Sequence, residues 1–227
     1  MLKTLRFNRT KTVSFVKSLM LPDGSFKGDK WGEIDTRFSY CALSTLAILK
    51  GLDKINTDKA ASFVASCKNF DGGFGCLPGA ESHAGQIFCC LGALAIVKRL
   101  DLVDQDLLCW WLAERQTNGG GLNGRPEKQA DVCYSWWILS CLSILGRVNW
   151  IHKEKLAAFI LKCQDPEGGG IADRPDNVAD VFHTFFGIAG LLLIGHFDGD
   201  EVGKQYRQID AIYALPVDVV AELGLNK

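Results

Sequence analysis

The chain of 227 residues balances 25 Lys and Arg against 26 Asp and Glu, for a formal net charge of −1, and is 48% hydrophobic. That is ample material for one sizeable core, and the even charge carries no basic footprint for nucleic acid. No apolar run reaches the roughly 18 residues expected of a membrane span, and the start MLKTLRFNRTK lacks the apolar stretch of a secretory signal, so the reading is a cytoplasmic protein that is not membrane-spanning.

Residues 1–11 form an unmatched N-terminal segment. From residue 12 onward one domain is read, with units near 12–52, 57–100, 104–148 and 153–197 and a tail at 198–227. Each unit carries a glycine turn: Gly24-Ser25-Phe26, Gly72-Gly73-Phe74, Gly120-Gly121-Leu122 and Gly169-Gly170-Ile171, spaced 48, 48 and 49 residues apart. A repeat of this length implies stacked supersecondary units that share a core. Nine residues after each turn stands a polar residue, namely Asp35, His83, Asp131 and Asp180. An apolar run follows each one, at 38–49, 86–97, 135–145 and 184–194. These runs are rich in Ala and Leu and apolar nearly all round, which predicts buried helices. The stretches 57–68 and 153–163 place apolar residues on one face only and predict amphipathic outer helices. Gly51, Gly146 and Gly195 fall where left-handed C-caps would end the inner helices. The nine cysteines read as reduced thiols, several of them acting as small hydrophobes within apolar runs, and no two are spaced as CxxC. The fold class is all-α: two concentric layers of helical hairpins, an α/α barrel or toroid. Its inner-helix N-termini form one rim, where the helix dipole favours anions.

Aligned repeat on repeat, Asp131, Cys133 and His183 fall on adjacent inner helices at one depth. A carboxylate, a thiolate and an imidazole form a mixed donor set suited to Zn²⁺, with one position left open. The same three residues also read as a capping Asp, a buried small side chain and a core His. Arg37, His83, Arg125 and Lys128 bring positive or titratable groups to the rim, either as a solvated edge or as a pocket for phosphate. Below them lie Tyr40, Phe88, Trp136, Trp137, Phe182, Phe185 and Phe186, either as core or as a wall for a long apolar ligand with a charged head. No two aspartates are adjacent, so the acid-rich motifs of a terpene cyclase, an alternative on the same architecture, are missing from the sequence.

The segments GDKWGEIDTRFSYCAL, NFDGGFGCLPGAESHAGQIFCCLGALAI, GGLNGRPEKQADVCYSWW and ADRPDNVADVFHTFFGIAGL resemble the β-subunits of protein prenyltransferases. They are most similar to those of the Rab (type II) geranylgeranyltransferases. The resemblance implies zinc-dependent transfer of geranylgeranyl from geranylgeranyl diphosphate to C-terminal cysteines of Rab GTPases. It implies a heterodimer with an α-subunit and delivery of the Rab by a Rab escort protein. By the same resemblance Asp131, Cys133 and His183 hold the zinc, and His83, Arg125, Lys128 and Tyr134 hold the diphosphate. Tyr40, Ala84, Gly85, Phe88, Trp136 and Trp137 line the isoprenoid site. Asp173 matches a position associated with Mg²⁺, and Asp180, three residues before His183, is placed to orient that ligand. Complete barrels of the family have more units than the four read here. The chain is therefore expected to be N-terminally short, its barrel incomplete, with apolar inner-helix surface exposed. A non-catalytic β-subunit acting as a binding module is the alternative that this shortness leaves.

Overall fold

The computed structural model describes residues 8–199 and 205–225. Over these residues the regular structure is helical. The outer layer consists of α1 (Arg9–Ser18), α3 (Thr57–Ser66), α5 (Gln105–Ala113) and α7 (Lys153–Lys162). The inner layer consists of α2 (Thr36–Ile48), α4 (Ala84–Ile96), α6 (Cys133–Ile144) and α8 (Val181–Leu193). A short α9 (Val217–Glu222) closes the described chain. Inner helices pack side by side in chain order, α2 on α4, α4 on α6 and α6 on α8. Each outer helix lies against the inner helix that follows it. Among the described residues no helix is long and apolar enough to cross a membrane.

The inner helices begin two or three residues before the apolar runs suggest, because the polar rim residue is the cap. The Asp35 carboxylate accepts the Arg37 N–H at 2.8 Å, and His83 Nδ1 accepts the Gly85 N–H at 3.1 Å. Asp131 accepts the Cys133 N–H at 2.8 Å, and Asp180 accepts the His183 N–H at 2.8 Å. Each satisfies a first-turn donor that has no partner within the helix. Neighbouring rims are tied by the backbone. Thr36 N–H donates to the Cys76 carbonyl at 3.0 Å, Ala84 N–H to Gly124 at 2.9 Å, and Val132 N–H to Asp173 at 2.9 Å. α2, α4 and α6 are thereby each docked onto the loop of the next unit.

The glycine turns fold the chain from outer to inner layer. Each ends in an apolar side chain at the core: Phe26, Phe74, Leu122 and Ile171 are all buried. Gly24, Gly72, Gly120, Gly169 and Gly170 have positive φ, where a side chain is strained. At the C-termini one expectation needs correcting. Gly146 and Gly195 are left-handed caps, but after α2 the left-handed residue is Lys50 (φ 51), and Gly51 has φ −126. After α4 that position falls on Lys98 (φ 59). Capping by position therefore does not require glycine here. All nine cysteines are free, and Cys41, although it lies within the apolar run at 38–49, is exposed.

The core runs along α4 and α6, whose side chains are covered by helices on both sides. Among the described residues α8 has an inner helix on one side only, and its other flank shows Val181 (89% exposed), Phe182 and Phe185 (47% and 46%). Apolar inner-helix surface is thus exposed, as expected for four units. Residues 205–225 run from the C-terminal end of α8 back to α2. Tyr40 donates its O–H to the Ile212 carbonyl at 2.6 Å, and Lys50 Nζ bonds the Leu223 carbonyl. Ile209, Ile212, Tyr213 and Leu225 pack on the core.

Candidate active site

α6 and α8 enter the rim side by side, and their first turns carry the donor cluster. One ligand atom each from Asp131, Cys133 and His183 lies within 4.8 Å of the other two. His183 Nε2 is 3.3 Å from an Asp131 oxygen. The other ring nitrogen, Nδ1, is 2.6 Å from Asp180 Oδ2, one helical turn earlier. Asp180 thus caps α8 with one oxygen and orients the imidazole with the other, leaving Nε2 toward Asp131. Burial, and after it the charge of Asp131, pushes the Cys133 thiol far above its ordinary range. A lone thiol in that setting stays protonated at neutral pH. A divalent cation at the same point reverses the preference. The geometry and donor chemistry fit Zn²⁺: mixed O, N and S donors, few enough to leave a position for a substrate.

Beside this cluster is a cleft of about 250 Å³ lined by His83, Arg125, Lys128, Asp131, Tyr134 and Arg174, among others. Tyr134 Oη is 3.3 Å from His83 Nε2. Because Nδ1 accepts the Gly85 cap bond, the neutral ring carries its proton on Nε2. Burial, then the nearby Arg125 cation, lowers the His83 pKa. The Arg125 guanidinium is paired with Glu81 at the cleft edge. The Lys128 carbonyl is anchored by Asn123 Nδ2 at 2.9 Å. Arg37, expected at this rim, folds back onto Asp35 with two 2.9 Å bonds and does not line the cleft. Both oxygens of the Asp173 carboxylate accept hydrogen bonds. Asn177 donates to one oxygen at 2.8 Å, and Arg174 to the other at 3.0 Å. The sequence reading did not single out Arg174. The signal was available, since GLNGRPEKQAD and GIADRPDNVAD align Arg174 with Arg125.

Under the rim the aromatic side chains touch from helix to helix. Ring centroids are 4.9 Å apart for Tyr40 and Phe88, 5.2 Å for Phe88 and Trp137, and 4.6 Å for Trp137 and Phe186. Trp136 stands behind them, 1% exposed, 5.8 Å from Phe88 and 6.2 Å from Phe186. Gly92 leaves room for the Tyr40 ring, whose carbons would meet any Cβ there at 2.8 Å. Ala84 is buried and Gly85 half-buried in the first turn of α4, between His83 above and Phe88 below. The arrangement is a polar, cationic mouth over an apolar, ring-lined wall.

Comparison with known proteins agrees with this architecture. The family model for the prenyltransferase alpha-alpha toroid domain matches residues 2–215. The chain belongs to that family. A segment of 44 residues is 54% identical to the geranylgeranyl transferase type-2 subunit beta of Candida albicans, and one of 41 residues is 54% identical to that of Saccharomyces cerevisiae. These segments cover 19% and 18% of this chain and 13% of each relative. Among solved structures, Candida albicans protein geranylgeranyltransferase-I complexed with GGPP superposes with a TM-score of 0.82 at 24% identity. The match covers 96% of this chain and 68% of that one. The type II terpene cyclase MstE from Scytonema superposes at 0.62 with 17% identity, over 86% of this chain and 60% of that one. At such identities the structural likenesses establish the fold.

Proposed function

We propose that this chain is the catalytic β-subunit of a Rab-type (type II) geranylgeranyltransferase. It would bind zinc through Asp131, Cys133 and His183 and take geranylgeranyl diphosphate in the adjoining cleft. The observation that carries the reading is the convergence of the three donor atoms within 4.8 Å, directly beside a cationic cleft lined by His83, Arg125, Lys128 and Tyr134. The aromatic wall beneath matches a long apolar tail. The short segments shared with type-2 β-subunits support the Rab-type assignment and, with it, an α-subunit and a Rab escort protein as partners. Zinc, when bound, supplies positive charge that favours a substrate cysteine as thiolate near neutral pH. In the reaction a sulfur–carbon bond forms at C1 of the isoprenoid as the carbon–oxygen bond breaks, and the diphosphate leaves with the electron pair. Arg125, Lys128, the Nε2–H of His83 and the Tyr134 hydroxyl would stabilise that leaving charge as it develops. Tyr40, Phe88 and Trp137 would hold the chain and keep water from the allylic carbon. Asp173 already accepts hydrogen bonds from Arg174 and Asn177, so a Mg²⁺ there would share the carboxylate with these donors.

The test is transfer of labelled geranylgeranyl to a Rab, with α-subunit and escort protein supplied, alongside zinc content. The expected result is about one zinc per chain, lost in Cys133→Ala together with transfer, which falls by at least the 10²-fold typical of a lost electrostatic element. Stoichiometric zinc without transfer would favour the binding-module reading, and well-folded chain without zinc would sink the enzyme reading.

A further inference from the structure

Arg174 is the cationic residue of the cleft that the proposed reaction leaves without a task. It is the counterpart, one unit later, of Arg125. Both precede a proline and then a residue with left-handed backbone, Glu127 (φ 62) after Arg125 and Asp176 (φ 67) after Arg174. Each reaches back to the same position of the preceding unit, Arg125 to Glu81 and Arg174 to Gln129. The two loops therefore present their guanidinium groups in one way, a unit apart, and both groups line the cleft. Their partners differ: Arg125 faces a carboxylate across the units, Arg174 a neutral amide. Arg174 meets Asp173 through Nε and Nη2 and Gln129 through Nη1. A guanidinium has five N–H donors, so one N–H on each Nη remains for a ligand. Nearly half of the side chain (44%) is exposed, and Asp131 lines the same cleft.

We propose that Arg174 is a further diphosphate-binding residue, forming with Arg125 a two-arginine clamp. This rests on the reading of the cleft as a diphosphate site. Arg125 grips from the α4 side and Arg174 from the α8 side, next to the zinc ligands. The carboxylate of Asp173 holds the fork in place. Planar guanidinium forks suit phosphate oxygens in a way that a lysine point charge does not.

The experiment measures binding of inorganic pyrophosphate and of geranylgeranyl diphosphate to the 227-residue chain by calorimetry. The variants are Arg174→Ala, Arg174→Lys and Arg125→Ala, with zinc content and thermal unfolding as folding controls. Arg174→Ala is expected to weaken pyrophosphate about tenfold or more, as removal of a charge-assisted bond does, with zinc retained. Arg174→Lys is expected to recover only part, because the charge returns and the fork does not. Full recovery in the lysine variant would overturn the direct contact in favour of a general field. Wild-type affinity in Arg174→Ala, with Arg125→Ala impaired, would overturn the clamp and leave the cleft reading standing. Unchanged affinity in both alanine variants would overturn the cleft reading itself. Should Arg174→Ala fail the folding controls, Arg174→Gln, which keeps a donor for Asp173, takes its place with the same expected loss and the same overturning result.

Discussion

At His83 the two ring nitrogens have separate tasks. Nδ1 accepts the cap bond from Gly85, and Nε2 faces the Tyr134 hydroxyl. Protonating Nδ1 would cost the cap, burial disfavours the imidazolium, and Arg125 repels it. His83 therefore serves the cleft as a neutral Nε2–H donor, and the positive charge comes from arginine and lysine. The sign of the linkage follows. A histidine held below its unfolded pKa of about 6.5 contributes stability above that value and loses it as pH falls through the folded value. Replacing Arg125 by Met removes the smaller cause and leaves burial, so the His83 pKa is expected to rise only part of the way toward 6.5. Titration of its Cε1–H signal by NMR in the two proteins checks this, and an unchanged or lower value in Arg125→Met would refute it. The site's composition was legible in the sequence because the repeat puts Asp131, Cys133 and His183 at one depth. Arg37 was misjudged because depth within a repeat does not reveal which way a long side chain turns, whereas the alignment of Arg174 with Arg125 did mark Arg174 as a cleft residue. Arg37 has Asp35 two residues before it and folds onto it, whereas Arg174 reaches across to Gln129 of the preceding unit.

The glycine turns place those side chains, and they do so by close approach as well as by φ. Gly24 has φ 96, and a Cβ built on it falls onto the Lys59 carbonyl of the next outer helix. Gly146 has φ 68, with nothing within 4 Å of such a Cβ. The two positions separate backbone strain from steric clash. Gly146→Ala should cost about 1–2 kcal/mol, the penalty of a left-handed L-residue. Gly24→Ala adds an overpacking cost of about 1–3 kcal/mol and should fall at about 2–5 kcal/mol. Urea unfolding of both variants measures the difference, and equal losses would show that the approach of Gly24 to α3 relaxes freely. The turns and both layers could be read from periodicity, because glycine and apolar spacing report directly on φ and burial. Helix starts could not. Thr36, Ala84, Cys133 and Val181 open the inner helices, yet a search for apolar runs skips a first turn whose stability comes from a cap bond.

Across the whole molecule, four hairpins place α2 and α8 at the two ends of the inner row, and the segment 205–225 spans between them. That segment carries no glycine turn and no repeat spacing, so nothing in its sequence announced its role. Its anchors at α2 are the Tyr40 hydroxyl on the Ile212 carbonyl and Lys50 on the carbonyls of Leu223 and Gly224. Within it, Asp210 accepts the N–H groups of Ile212 and Tyr213 at 2.9 and 2.8 Å, which makes the contacting loop a local unit. Tyr40 thus joins the aromatic wall to this loop. Tyr40→Phe keeps the ring beside Phe88 and removes only the hydroxyl, so the wall should remain while the loop loosens. A neutral hydrogen bond contributes about 1 kcal/mol, equivalent to roughly a fivefold change in a local opening equilibrium. Amide exchange in residues 209–216 should therefore quicken about fivefold, while α4 and α6, opening only with the whole fold, keep their protection. Acceleration spread evenly over α4, α6 and the loop would mean that the segment unfolds with the core, and no acceleration would mean that its apolar contacts alone hold it against α2.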